Sequence, residues 1–82
     1  MFLILEDHPI ARKGLESIIH MYRPDDEVLQ AGTVKEAIEN MQGRDVNMAF
    51  IDLNLNGESG LDFLRWLKKE RQEVKTIFIT SS

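Results

Sequence analysis

The sequence predicts an α/β fold, a doubly wound parallel sheet in which strands and helices alternate along the chain. Short continuous apolar runs, typical of strands buried on both faces, recur along the sequence. Between them lie segments with the apolar spacing of one helical face. The apolar runs at residues 1–5 and 48–51 both lead into acidic residues. Such alternation indicates βαβ units with right-handed crossovers.

The first half of the chain gives two strands and two helices. Residues 1–5 predict a strand, and apolar spacing after Pro9 predicts a helix that ends before Pro24. Residues 27–31 are a weaker strand candidate. Thr33 and Glu36 stand at capping-box spacing, so a second short helix is expected to begin there and to stop near Gly43.

The second half repeats the pattern. Residues 46–53 predict the third strand, and residues 54–58 are rich in turn formers. Ser59 can cap a third helix that runs to about residue 72. Residues 74–80 are rich in β-branched and aromatic side chains and predict a fourth strand.

Composition restricts the class of protein. The 82 residues are 43% hydrophobic and 29% charged, a balance typical of one small soluble domain, and they contain no cysteine. Apolar runs are too short to cross a membrane, so a cytoplasmic location is expected. The formal charge of −4 has the wrong sign for generic attraction to nucleic acid. Basic residues do gather near the third helix, where they are interpreted as its solvated face: Arg65, Lys68, Lys69 and Arg71.

Polar side chains stand where the predicted strands end. Glu6 and Asp7 follow the first strand, Asp52 ends the third, and Thr80 ends the fourth. Each taken alone is an ordinary capping, loop or strand residue. In an open parallel sheet, however, functional sites lie beyond the carboxyl ends of the strands. We therefore expect three carboxylates and one hydroxyl to meet at one edge of the sheet.

Carboxylates gathered in one cleft repel one another, and a bound divalent cation usually neutralises their charge. Oxygen ligands of this kind suit Mg²⁺, which often holds a phosphate as well. Asp52 follows an apolar strand and precedes a polar turn, so it is the best candidate for a nucleophile toward phosphorus. His8 has no second nitrogen or sulfur ligand at motif spacing and is interpreted as outside the metal site.

With these residues in place, the chain resembles response-regulator receiver domains over its whole length. The segment Leu-Glu-Asp-His-Pro-Ile-Ala-Arg-Lys-Gly-Leu at residues 5–15 is similar to receivers joined to helix-turn-helix output domains. The resemblance implies a flavodoxin-like fold. It also implies that Asp52 is phosphorylated by a histidine kinase, that Thr80 is the switching hydroxyl, and that Mg²⁺ is held by Asp7, Asp52 and the main-chain carbonyl of Asn54, with Glu6 acting through water.

The sequence departs from the family pattern in two places. Leu55-Asn56 stands where many receivers have Met-Pro, although Gly60 falls on the family's usual glycine position. The fourth helix, the fifth strand with its lysine, and the fifth helix have no counterpart. Residues 1–82 are thus interpreted as the N-terminal portion of a single receiver domain. Completion of the exposed sheet by a second chain, as a homodimer or domain swap, is the alternative.

The resemblance implies a switch rather than an enzyme, with DNA bound by an output domain outside this segment. Two other functions remain open. A receiver-like binding module would act through protein contacts without being phosphorylated. A phosphatase of the haloacid-dehalogenase type also uses an Asp after a strand, but it expects Asp where this chain has Asn54, and it leaves Glu6 and Asp7 unexplained.

Overall fold

The computed structural model describes residues 1–79. Strands and helices alternate as the sequence predicts, with one short hairpin in addition. The elements are β1 Phe2–Leu5, α1 Pro9–Tyr22, β2 Val28–Ala31, α2 Val34–Met41, β3 Met48–Asp52, β4 Asn54–Leu55, β5 Glu58–Ser59, α3 Gly60–Glu70 and β6 Lys75–Ile79.

Four strands form one parallel sheet in the order β2-β1-β3-β6. The strands are aligned without an offset at their carboxyl ends. Leu5 pairs with Ala31 on one side and with Ile51 on the other, and Ile51 pairs with Phe78. The carboxyl ends of all four strands therefore reach the same edge. This arrangement confirms the predicted α/β fold with a parallel, doubly wound sheet.

Side-chain caps begin two of the helices. The Thr33 hydroxyl accepts a hydrogen bond from the Glu36 N–H at 3.1 Å, and Glu36 Oε1 accepts one from the Gly32 N–H at 2.8 Å. Ser59 Oγ accepts from the Leu61 N–H at 3.1 Å. These bonds satisfy N–H groups that have no partner within the helix, which fixes where α2 and α3 start.

One face of the sheet is fully packed. Alternate residues of β1 and β3 point toward α2 and α3 and form a continuous core with them, because side chains alternate across a strand. The largest fully buried side chains of this core are Phe63, Leu3, Leu5, Met41, Ile51 and Leu67.

The opposite face carries α1 and is only partly covered. Phe2, Met48 and Phe50 line an apolar groove of about 320 Å³ against α1. Along α1 only Ile19 is buried, whereas Ile10, Ile18 and Tyr22, which the apolar spacing places on the same helical face, are exposed. At the sheet edge, β6 leaves Ile77 and Phe78 exposed. Within residues 1–79, each helix falls short of the length and apolar character that a bilayer span needs.

A short hairpin follows β3, and the sequence reasoning did not predict it. Leu55 pairs with Glu58 in antiparallel fashion, and Asn56-Gly57 forms the turn. Gly57 has φ +80°, which suits the left-handed position of a type II turn and strains any residue with a Cβ. Each strand spans two residues, too few for an alternating pattern to be visible.

Arg71 departs from the interpretation of the basic residues as a solvated helix face. Arg65, Lys68 and Lys69 are exposed as predicted, but the Arg71 side chain is only 21% exposed. Its guanidinium donates to the Met41 carbonyl at 3.1 Å and to the Arg44 carbonyl at 2.7 Å. Arg71 therefore joins the end of α3 to the Met41 carbonyl at the end of α2 and to the Arg44 carbonyl in the loop that follows α2.

Replacing Arg71 with Ala is expected to lower the free energy of unfolding by about 2 kcal/mol, because two charge-assisted bonds to main-chain carbonyls are lost. Urea unfolding measures the change. The control is Arg65→Ala, since Arg65 is 75% exposed and pairs with Asp62 at the surface. In that variant the free energy of unfolding is expected to fall by no more than about 1 kcal/mol. Equal losses in the two variants would contradict the role given to Arg71.

Candidate functional site

An acidic cluster lies at the carboxyl edge of the sheet. Glu6 and Asp7 follow β1, and Asp52 is the last residue of β3. One ligand atom from each of these residues and one from His8 all lie within 4.8 Å of one another. The parallel register of β1 and β3 thus brings Asp52 against Glu6 and Asp7, which are far from it in the sequence.

Glu6 and Asp52 are buried almost completely, at 1% and 0% exposure. Asp52 Oδ1 accepts a hydrogen bond from the Asn54 N–H at 3.0 Å, and Glu6 Oε2 accepts one from the His8 N–H at 3.1 Å. In each case the donor lies two residues after the acid. The chain beyond each strand therefore turns back toward the carboxylate and stabilises its charge.

The backbone of Glu6 is held from two sides. Its N–H donates to the Ala31 carbonyl at 3.0 Å, which extends the pairing of β1 with β2 by one residue. Its carbonyl accepts a hydrogen bond from Arg12 Nη1 at 2.9 Å, and Arg12 Nε donates to Gln30 Oε1 at 3.2 Å. Arg12 therefore ties α1 to the end of β1 at the point where the acids begin.

Asp7 differs from the other two acids because its two oxygens have different surroundings. Oδ2 accepts a hydrogen bond from the Asn56 N–H at 2.9 Å. Oδ1 is buried, receives no hydrogen bond from the described residues, and lies 3.2 Å from His8 Nδ1. Burial works to raise the Asp7 pKa, but the hydrogen bonds with Glu6 and Asn56 and the charge of His8 outweigh it and hold the pKa below its usual value.

These residues fit a hard divalent cation. The cluster offers carboxylate oxygens, which suit Mg²⁺, and a buried polar atom without a hydrogen bond is unusual in proteins. A cation beside Asp7 Oδ1 would satisfy that atom and reduce the repulsion among the acids. Asp7 and Asp52 would hold it, with Glu6 nearby.

His8, which the sequence analysis interpreted as outside the metal site, lies against the acids. Its Nδ1 is 3.2 Å from Glu6 Oε2 and 3.2 Å from Asp7 Oδ1, while the side chain is 63% exposed. The hydrogen bond with Glu6 and the charges of Asp7 and Asp52 raise the His8 pKa. The imidazole can therefore act as a counter-charge for the acid pair.

Gly60, the first residue of α3, passes directly against the backbone of Asp52. A Cβ at this position would overlap the Asp52 carbonyl oxygen and would lie 2.9 Å from Ile51 Cγ2. The Gly60 N–H also donates to the Leu53 carbonyl at 3.1 Å. The absence of a side chain at Gly60 thus lets α3 begin close to Asp52.

The predicted site residues are placed as follows. Glu6, Asp7 and Asp52 meet, and Asn54 stands two residues beyond Asp52 at the start of β4. Thr80 lies outside the described residues. Sequence reasoning missed the contacts of the hairpin, because Asn56-Gly57 indicates a turn but the two-residue strands beside it carry no alternating apolar pattern.

Comparison with known proteins relates the chain to bacterial signalling regulators. The family model described as the response regulator receiver domain matches residues 2–82. The nitrate/nitrite response regulator protein NarP of Escherichia coli is 31% identical over 98% of this chain. The sensory transduction protein LytR of Staphylococcus epidermidis is 30% identical over 96%. The chain spans 37% and 31% of the lengths of these two relatives.

Solved structures show the same similarity. The response regulator MaeR bound to beryllium trifluoride superposes with a TM-score of 0.88 at 26% identity. The match covers 99% of this chain and 66% of the MaeR chain. The similarity therefore extends over nearly all of the present fold.

Replacing Gly60 with Ala is expected to lower the free energy of unfolding by about 1–3 kcal/mol, because the new methyl group overlaps the Asp52 backbone. Thermal or urea unfolding measures this. Gly14→Ala is the matched control, since nothing lies within 4 Å of a Cβ there and Gly14 is inside α1. In that variant the free energy of unfolding is expected to rise by up to about 1 kcal/mol. A loss at Gly14 as large as at Gly60 would contradict the steric argument.

Replacing His8 with Gln is expected to change stability in a pH-dependent way. Since the folded-state pKa of His8 is raised from 6.5, its contribution is fully present below pH 6.5 and is lost as the pH rises through the folded value. Urea unfolding of both proteins across that window measures the difference, with the pH kept above the Asp7 pKa. A difference that grows with increasing pH would contradict this assignment.

Proposed function

The chain belongs to the response regulator receiver domain family, and on that premise we propose that Asp52 accepts a phosphoryl group with Mg²⁺ as the cofactor. The observation that carries the proposal is the meeting of Glu6, Asp7 and Asp52 at the carboxyl edge of the sheet. Asp52 ends its strand at a fixed backbone position, as a nucleophile requires.

The chemistry is a transfer between phosphorus and a carboxylate. An Asp52 oxygen attacks the phosphorus atom, a new O–P bond forms, and the bond from phosphorus to the donor breaks with its electron pair leaving on the donor. An ionised carboxylate needs no general base for this step. When bound, Mg²⁺ supplies positive charge that offsets the charge of the transferred group. MaeR binds beryllium trifluoride, a small anion of phosphoryl-like shape, which supports the same chemistry here.

Each residue has a proposed role. Asp7, Asp52 and the main-chain carbonyl of Asn54 hold Mg²⁺, and Glu6 acts through a bound water. Thr80 is proposed as the switch hydroxyl, which gains a charge-assisted hydrogen bond only when Asp52 is phosphorylated. The outcome is a two-state switch rather than metabolic turnover.

The proposed partners follow from the family. A sensor histidine kinase in the cytoplasm donates the phosphoryl group, and a DNA-binding output domain outside this segment reads the switch. We propose that residues 1–82 are the N-terminal portion of one receiver domain. The exposed Ile77 and Phe78 on β6 support this, because a further strand and helices would cover them. A second copy paired or swapped across the same edge is the alternative.

Incubating the chain with acetyl phosphate and Mg²⁺ is expected to add the mass of one phosphoryl group, detected by intact mass spectrometry and located on Asp52 by peptide mapping. Asp52→Asn is expected to abolish the adduct, because an amide is a poor nucleophile. Omitting Mg²⁺ is expected to slow its formation strongly.

The control is Asp45→Asn, which removes the same charge from an exposed position on the loop before β3. This variant is expected to form the adduct at the rate of the unmodified chain. A folded sample that forms no adduct would exclude the phosphoacceptor function and leave the protein-binding module. Multiple turnover of a phosphomonoester would indicate a phosphatase instead.

A further inference from the structure

Besides the Ser59 cap of α3, the β4–β5 hairpin makes three hydrogen bonds that reach the acids or α2. The Asn54 N–H donates to Asp52 Oδ1, the Asn56 N–H donates to Asp7 Oδ2, and Glu58 Oε1 accepts from the Val34 N–H. The hairpin thus touches the ends of both β1 and β3 and the start of α2. We propose that it is a positioning element for Asp7, with Asn56 as the positioning residue and Glu58 as its anchor on α2. The inference rests on the proposed function, since it assigns Asp7 to the Mg²⁺ site.

The anchor is a hydrogen bond between the Val34 N–H and the Glu58 carboxylate. Val34 is the first residue of α2, so its N–H has no partner within the helix. The Glu58 carboxylate accepts this N–H at 2.7 Å and also lies at the positive end of the helix dipole. On the other side of the turn, Leu55 is buried in the core and holds β4 in place. The tip of the hairpin is therefore fixed by one apolar and one charged contact.

The positioning contact acts on one oxygen of Asp7. Because the Asn56 N–H occupies Oδ2 at 2.9 Å, the carboxylate is oriented with Oδ1 buried beside Glu6 and His8. Oδ1 is the atom that lacks a hydrogen bond among the described residues and that a cation would satisfy. A proline at position 56 would have no N–H to donate. The main chain of Asn56 therefore determines which Asp7 oxygen is available to the metal.

The first experiment removes the anchor. Glu58→Ala is expected to speed hydrogen exchange at the Val34 and Asn56 amides and to weaken Mg²⁺ binding, each by roughly three- to tenfold, as loss of one surface hydrogen bond implies. NMR measures the exchange, and calorimetry with Mg²⁺ alone measures the affinity. Glu58→Gln keeps an acceptor oxygen and is expected to restore both values to within about twofold of the unmodified chain.

The matched control is Glu39→Ala. Glu39 is exposed on α2, its side chain makes no hydrogen bond or ion pair with residues 1–79, and its loss changes the net charge by the same amount. This variant separates the anchor from a general change in electrostatic potential. Glu39→Ala is expected to leave exchange at Asn56 and the Mg²⁺ affinity unchanged.

The second experiment removes the positioning N–H itself. Asn56→Pro deletes the donor, and proline suits this place because Asn56 has negative φ at the second position of the turn. Mg²⁺ affinity is expected to fall by roughly three- to tenfold. Asn56→Ala keeps the N–H and is expected to rescue the affinity, so the pair separates the main-chain contact from the Asn56 side chain. Thermal unfolding of each variant checks that it is folded.

The outcomes distinguish this inference from the proposed function. If the unmodified chain binds Mg²⁺ but Glu58→Ala matches Glu39→Ala in exchange and affinity, the anchor is wrong and the phosphoacceptor function stands. If Asn56→Pro binds Mg²⁺ as tightly as Asn56→Ala, the positioning role is wrong. If the unmodified chain neither binds Mg²⁺ nor forms the Asp52 adduct, the proposed function fails, and the exchange at Asn56 still decides whether Glu58 anchors the hairpin.

Discussion

Repulsion among three carboxylates is the constraint on which the rest of the site depends. Because β1 and β3 pair in parallel and end at the same level, Glu6, Asp7 and Asp52 lie at one edge of the sheet, although their negative charges repel one another. Two of these acids are almost fully buried, where charge is least favourable. The chain tolerates them because main-chain N–H groups and the His8 imidazole stabilise the negative charge. A divalent cation would complete the same compensation.

The stabilising donors come from two different kinds of structure. For Glu6 and Asp52 the donor is the N–H two residues later, so the contact forms whenever the chain turns sharply after a strand. For Asp7 the donor is Asn56, which is 49 residues away in the sequence. Glu6 and Asp52 therefore receive their donors from the residues that follow them directly, whereas Asp7 depends on a donor that only the folded hairpin brings to it.

The fold could be predicted from the sequence because apolar runs and helical spacing are periodic signals. The acids could be predicted because strand ends converge in this architecture, so Asp52 was found from the position of its strand. The contacts of Glu58 and Arg71 could not, since a single hydrogen bond between distant residues leaves no pattern along the chain. Arg71 resembled its exposed neighbours in sequence, and only the nearby carbonyls of the α2 end distinguish it. Thr80 remains a prediction from the sequence.

The two faces of the sheet differ in how many buried contacts they make behind the acidic cluster. Asp52 is backed by the packed face, where Phe63, Leu67 and Ile51 are buried and Gly60 brings α3 against its main chain. The α1 face, with its open groove and exposed apolar residues, contributes Arg12 at the Glu6 carbonyl. Asp52 and the hairpin therefore share one core with α2 and α3. Changes on that face alter stability and site geometry together, whereas changes along the open groove act first on stability.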